Sequence, residues 1–67
     1  MFSIGELIRW YETYANDDIV RDSGVGVLLE CCNFANYQTY KVFRVERQDI
    51  VYLLDQDIAK LNKKRNV

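Results

Sequence analysis

Three β-type runs dominate the chain: Gly24-Val25-Gly26-Val27-Leu28-Leu29, Thr39-Tyr40-Lys41-Val42-Phe43-Arg44-Val45 and Asp49-Ile50-Val51-Tyr52-Leu53-Leu54. Each is short, rich in β-branched and aromatic residues and bounded by turn formers, which is the pattern of strands. With 67 residues the chain has room for one hydrophobic core, so the runs are predicted to share one sheet. The expected fold is all-β, a small five-stranded antiparallel barrel over residues 1–62 with a basic tail at 63–67. Val27 and Val42 are expected core positions.

The opening segment, Ser3 to Glu12, admits two readings. Ser3 with Glu6 fits a capping box, and Ile4, Leu7, Ile8 and Tyr11 recur at helical spacing. Gly5 instead suits a turn into a strand, and a barrel needs this segment as its first member, so strand is the expectation. Residues 13–23 are polar and read as a long loop, interrupted by Ile19-Val20. Gly24 and Gly26 suggest a bulge or tight bend; a phosphate-cradling loop would need a further Gly or a Gly-Lys-Ser/Thr ending, both missing from this run. Residues 33–38 form a hairpin connection. Asp55 is placed to cap a single helical or 3-10 turn, with Ile58 and Leu61 plugging one barrel end before a last short strand.

Charge argues against several function classes. Residues 1–61 carry a net charge of −4 and the Lys63-Lys64-Arg65 segment +3, whereas a nucleic-acid binder normally presents a basic face across its body. The two cysteines, Cys31 and Cys32, are adjacent and unable to close a stabilising loop, so free thiols are expected. With no histidine and one Cys-Cys pair, zinc is not expected. Asp17, Asp18 and Asp22, or Asp55 and Asp57, lack the spacing of a calcium loop. No metal or other cofactor is predicted. A chain so small and unstapled calls for a protein partner or a homo-oligomer. No signal pattern or membrane-length apolar run is visible, and a helix over residues 3–14 would lack a basic face, so no membrane contact is expected and an intracellular, reducing setting is.

No catalytic residue is predicted. Without histidine the nucleophile candidates shrink to Cys31 and Cys32, and a cysteine in an apolar strand is ordinarily an unreactive filler. Asp55 and Asp57 are better explained by free N–H groups at a helical start. The candidates for partner contact are large side chains that a small core cannot all absorb: Trp10, Tyr14, Ile19, Phe34 and Tyr37, with Tyr14 and Tyr37 the most exposed by position. A nucleic-acid alternative would combine such rings with Arg9, Arg44, Arg47, Lys63, Lys64 and Arg65 on one face.

Four motifs together, Ile4-Gly5-Glu6-Leu7-Ile8-Arg9-Trp10, Gly24-Val25-Gly26-Val27-Leu28-Leu29-Glu30, Tyr40-Lys41-Val42-Phe43-Arg44 and Asp57-Ile58-Ala59-Lys60-Leu61, follow the SH3-like barrel layout. More narrowly, the chain resembles the short SH3-like barrel proteins of tailed bacteriophages, including those of marine bacteria, over residues 3–62. The resemblance implies a five-stranded barrel with a 3-10 turn before the last strand, and a non-enzymatic accessory protein in the host cytoplasm that binds a host or phage protein. A small structural component of the virion is the alternative. The family pattern supplies no catalytic residues, and no polyproline-binding aromatic set aligns here. The 11–23 insert and the Cys31-Cys32 pair depart from it.

Overall fold

The computed structural model describes residues 2–13, 17, 19–34 and 36–61, the side chain of Phe34 excepted. Five strands make up one antiparallel sheet: β1 (Leu7–Thr13), β2 (Val20–Phe34), β3 (Tyr37–Arg44), β4 (Asp49–Leu54) and β5 (Ile58–Lys60). A 3-10 turn, Asp55–Asp57, precedes β5. The strand order is β4-β3-β2-β1-β5. Among the described residues β4 pairs with β3 alone and β5 with β1 alone, so the sheet is open and the expected closure into a barrel is not observed. Among the described residues no helix is long and apolar enough to cross a membrane.

The opening segment shows why its two signatures compete. Ser3 donates its N–H to the Glu6 carboxylate at 2.9 Å, the contact that a capping box would make. Glu6 N–H returns to the Ser3 carbonyl at 3.0 Å and Gly5 sits at φ +88°, which closes a β-turn where a helix would have begun. That turn is fastened to β2, with Gly5 N–H donating to Leu28 O at 2.7 Å and Leu28 N–H to Glu6 O at 2.9 Å. Strand β1 starts at once.

Register sorts the side chains onto two faces. Ile8 and Trp10 of β1, Leu28 of β2, Tyr40 and Val42 of β3 and Ile58 of β5 form the buried core. Val42 pairs with Leu28 and Val51, so an apolar row spans the inner face. Val27 pairs with Phe43 on the opposite face, half-buried; of the two valines expected inside, Val42 alone is.

The glycines of β2 serve close approach. A Cβ on Gly24 would stand 2.8 Å from Trp10 Cζ2, and one on Gly26 would stand 2.6 Å from Val42 Cγ1. The indole therefore rests on a strand stripped of side chains. The bulge of β2 lies further on, between Leu28 and Glu30.

Other departures have local causes. Strand β2 begins at Val20, so the polar Arg21-Asp22-Ser23 stretch is strand and not loop: Asp22 pairs with Glu12 across β1, and Arg47 joins both carboxylates. The β2–β3 hairpin closes at the Phe34–Tyr37 pair. Asp55 makes no cap; its carboxylate accepts the Tyr40 hydroxyl at 3.3 Å. Ile58 belongs to the last strand, where it pairs with Trp10.

Candidate functional site

Trp10 organises one end of the inner face. It is 2 % exposed, its Nε1–H donates to the Val25 carbonyl at 3.2 Å, and two guanidinium groups lie over the ring, Arg44 at 4.9 Å and Arg47 at 5.6 Å from its centroid. Such stacking is favourable because the ring face is negative and the guanidinium weakly hydrated. Each cation is also held by a carboxylate. Arg44 donates Nε–H to Asp49 Oδ1 at 2.7 Å and an η-nitrogen to Oδ2 at 2.5 Å, a two-point fork that drives the Asp49 carboxyl below its usual range. Arg47 bonds Asp22 and lies 3.9 Å from Glu12.

The β3–β4 turn locks this arrangement to β2. Val45 N–H donates to Val25 O at 3.0 Å, while Val25 N–H donates to both oxygens of Glu46, at 3.2 and 3.0 Å. That N–H bond is the chief reason the Glu46 carboxyl is held below its ordinary value. Gln48, at φ +54°, ends the turn with its N–H on Arg44 O at 2.7 Å.

Beside this cluster lies a slot of about 450 Å³. Trp10 to Thr13 of β1 and Asp57 form one wall, and Val51 to Leu54 of the β4 edge form the other, with Arg44 also lining it. Thr13 Oγ1–H bonds Asp57 Oδ1 at 3.1 Å. The lining carries two carboxylates, Glu12, 3.9 Å from Arg47, and Asp57, which accepts the Thr13 hydroxyl, while the neighbouring Arg44 has its two-point partner in Asp49. The slot offers an apolar wall, carboxylates and a strand edge that pairs with no described segment.

Of the residues predicted for partner contact, the described ones, Trp10, Ile19 and Tyr37, do not converge. Trp10 is core and not a surface anchor, because the glycine seat of β2 and the two arginines enclose it. Ile19 and Tyr37 are exposed, 58 % and 66 %, but the fifteen residues of β2 separate them. Tyr14 and the Phe34 side chain lie outside the described residues, as do Lys63, Lys64 and Arg65. The described members of the nucleic-acid set, Arg9, Arg44 and Arg47, do not share one face. Arg9 stands on the outer face by register, opposite Val25 and Ala59, and its charge acts on Glu46; Arg44 and Arg47 are bound to carboxylates. No basic face forms among the described residues.

Sequence reasoning missed the β4 edge. Although the run is almost wholly apolar, Ile50, Tyr52 and Leu54 are exposed while Val51 and Leu53 turn inward. The available signal was position: β4 ends a meander whose next strand crosses to β1, so no described strand follows to pair with it.

The Cys32 thiol is held toward its protonated form. Cys32 Sγ donates to Glu30 Oε1 at 3.2 Å, and that bond, followed by burial, pushes its pKa up; Cys31 is exposed and both are free. A raised pKa means less thiolate, the nucleophilic form. No family model, curated protein or solved structure matches this chain.

Proposed function

We propose that the chain is a non-enzymatic interaction module that takes an extended segment of a protein partner into the slot beside β4, as an added strand. The observation that supports this reading is the β4 edge itself: six residues with no Lys, Pro or bulge to block pairing, opposite an acidic wall at Glu12 and Asp57. Soluble proteins ordinarily blunt such edges, and strand addition is a recurrent way to recognise extended peptides. The chemistry of the slot specifies the segment. It carries alternate apolar side chains that meet Val51, Leu53 and the indole wall, with Lys or Arg beside them to pair with the two carboxylates. Following the resemblance to the tailed-phage barrel proteins, the partner is a host or phage protein and the setting the host cytoplasm.

The test is selection from a displayed library of linear peptides, with amide hydrogen exchange measured on the best binders. Enrichment of apolar residues alternating with flanking Lys or Arg is expected, together with slowed exchange at the β4 amides that point away from β3. Glu12→Gln should weaken the selected peptides about tenfold, the loss of one ion pair in a partly desolvated site. Binders that leave β4 exchange unchanged would refute the assignment.

A further inference from the structure

A second uncommitted surface lies on the other face of the sheet. Leu7, Val27, Phe43 and Ile50 are register partners across β1, β2, β3 and β4, so their side chains form one line across the face opposite the core. Leu7 and Ile50 expose 50 % and 52 % of their surface, and Val27 and Phe43 are half-buried. The solvated face of an antiparallel sheet is ordinarily polar. In the next row on this face Glu30 pairs with Lys41, because the β2 bulge substitutes Glu30 for Leu29 at that place.

We propose that this outer face is a homodimer interface, two copies packing sheet on sheet about a two-fold axis that runs parallel to the strands between β2 and β3. That axis places Leu7 against Ile50 of the second copy, and Val27 against Phe43 of the second copy. It also places Glu30 against Lys41 of the second copy, and symmetry makes each contact occur twice. One operation thus matches both the apolar row and the charges, which is the self-complementarity an isologous interface demands. The area is adequate. With Tyr52 and Leu54 on the same face, four side chains at about half exposure and the less exposed Val27 and Phe43 offer on the order of 500 Å² per copy, and a charged rim brings this toward the ~800 Å² per partner of a standard interface. A contiguous apolar patch of that size lies at the upper end of what a monomer exposes and commonly marks an interaction site. Tyr52 and Leu54 also border the slot beside β4, but Leu7, Val27, Phe43, Ile50 and the Glu30–Lys41 pair lie outside its lining, so variants at those positions test the dimer apart from the peptide site.

Sedimentation equilibrium from about 1 to 500 µM tests the proposal, with reductant present so that the exposed Cys31 cannot cross-link copies. Wild-type chain should convert from monomer to dimer within this range. Glu30→Lys and Lys41→Glu should each weaken self-association at least about tenfold, and mixing the two variants should restore the dimer, because opposite charges then meet across the pair while the repulsion within each chain persists. Wild type that stays monomeric throughout, or a mixture no tighter than the separate variants, would overturn it. Should a charge variant fail to fold, Ile50→Ser serves instead: association at least about tenfold weaker supports the interface, and unchanged association overturns it.

Discussion

Replacing Gly26 by alanine probes the seat on which the core is built. The new Cβ would stand 2.6 Å from Val42 Cγ1, 2.9 Å from the Phe43 carbonyl oxygen and 3.3 Å from Trp10 Cδ1. None of the three can yield freely. Val42 is fully buried and, being β-branched, has a stiff χ1; the Phe43 oxygen belongs to the backbone of β3; the indole is held by its bond to Val25. Overpacking of this kind costs about 1–3 kcal/mol, against roughly 0.5–1 kcal/mol gained by removing the chain entropy of glycine. A net loss of about 1–2 kcal/mol follows, which for a domain of this size lowers Tm by roughly 5–15 °C. Urea unfolding followed by the fluorescence of Trp10, the single tryptophan, should show the midpoint falling with m unchanged. A Gly26→Ala protein as stable as wild type, or more so, would refute the close-approach argument and with it the account of why Trp10 faces inward.

Gln48 occupies a left-handed conformation at φ +54°, so Gln48→Gly should raise stability by up to about 1 kcal/mol, read as a higher urea midpoint; a lower midpoint would show that the turn depends on the glutamine side chain. Val42→Asp would bury a carboxylate in a fully enclosed site and should abolish the cooperative transition, whereas Val27→Asp lies on the outer face and should leave a folded protein, as circular dichroism would report. Stability should fall at both pH extremes. The carboxyls of Glu6, held chiefly by the Ser3 N–H and then by Lys60, of Glu46 and of Asp49 have depressed pKa values. Their stabilisation is complete above the ordinary carboxylate range and lost as pH falls below about 4. The Tyr40 phenol is raised by burial and by Asp55, so its contribution is complete below about pH 10 and lost as pH rises beyond. Urea midpoints measured across pH check both limbs, and a midpoint flat below pH 4 would contradict the carboxylate bonds.

Strand identity was legible where local pattern and register agree. Tyr40, Val42 and Arg44 alternate as a strand should, and all three turn to the inner face. The opening segment was legible only through tertiary context, because Ser3 and Glu6 make the same hydrogen bond in the turn that they would make in a helix. The start of β2 was not legible at all. Arg21-Asp22-Ser23 has the composition of a loop, and it becomes strand through pairing with Tyr11 and Glu12 and through a guanidinium supplied from Arg47, a residue 25 positions downstream of Asp22. Long-range charge pairing leaves no periodic trace.

The candidate site failed to show in the sequence for a related reason. Large rings suggest surface anchors, but whether a ring is core depends on what lies across from it, and for Trp10 that is a pair of glycines on another strand. Side-chain type identified Trp10 as important and misjudged its role. The β4 edge carries the opposite lesson. Asp49 to Leu54 looks like core by composition, yet Val51 and Leu53 alone of its residues pack against the core, because alternation along the strand turns Ile50, Tyr52 and Leu54 to the outer face. The connection through the 3-10 turn carries the chain past β4 and back to β1 and leaves the β4 edge with no described partner. Topology, not composition, creates the unpaired edge. The same topology sets that edge opposite Glu12 and Asp57. A segment entering the slot would therefore meet backbone donors and acceptors on one side and carboxylates on the other, and neither wall would suffice alone: the strand edge would fix direction and register, and the carboxylates would decide which sequence is accepted.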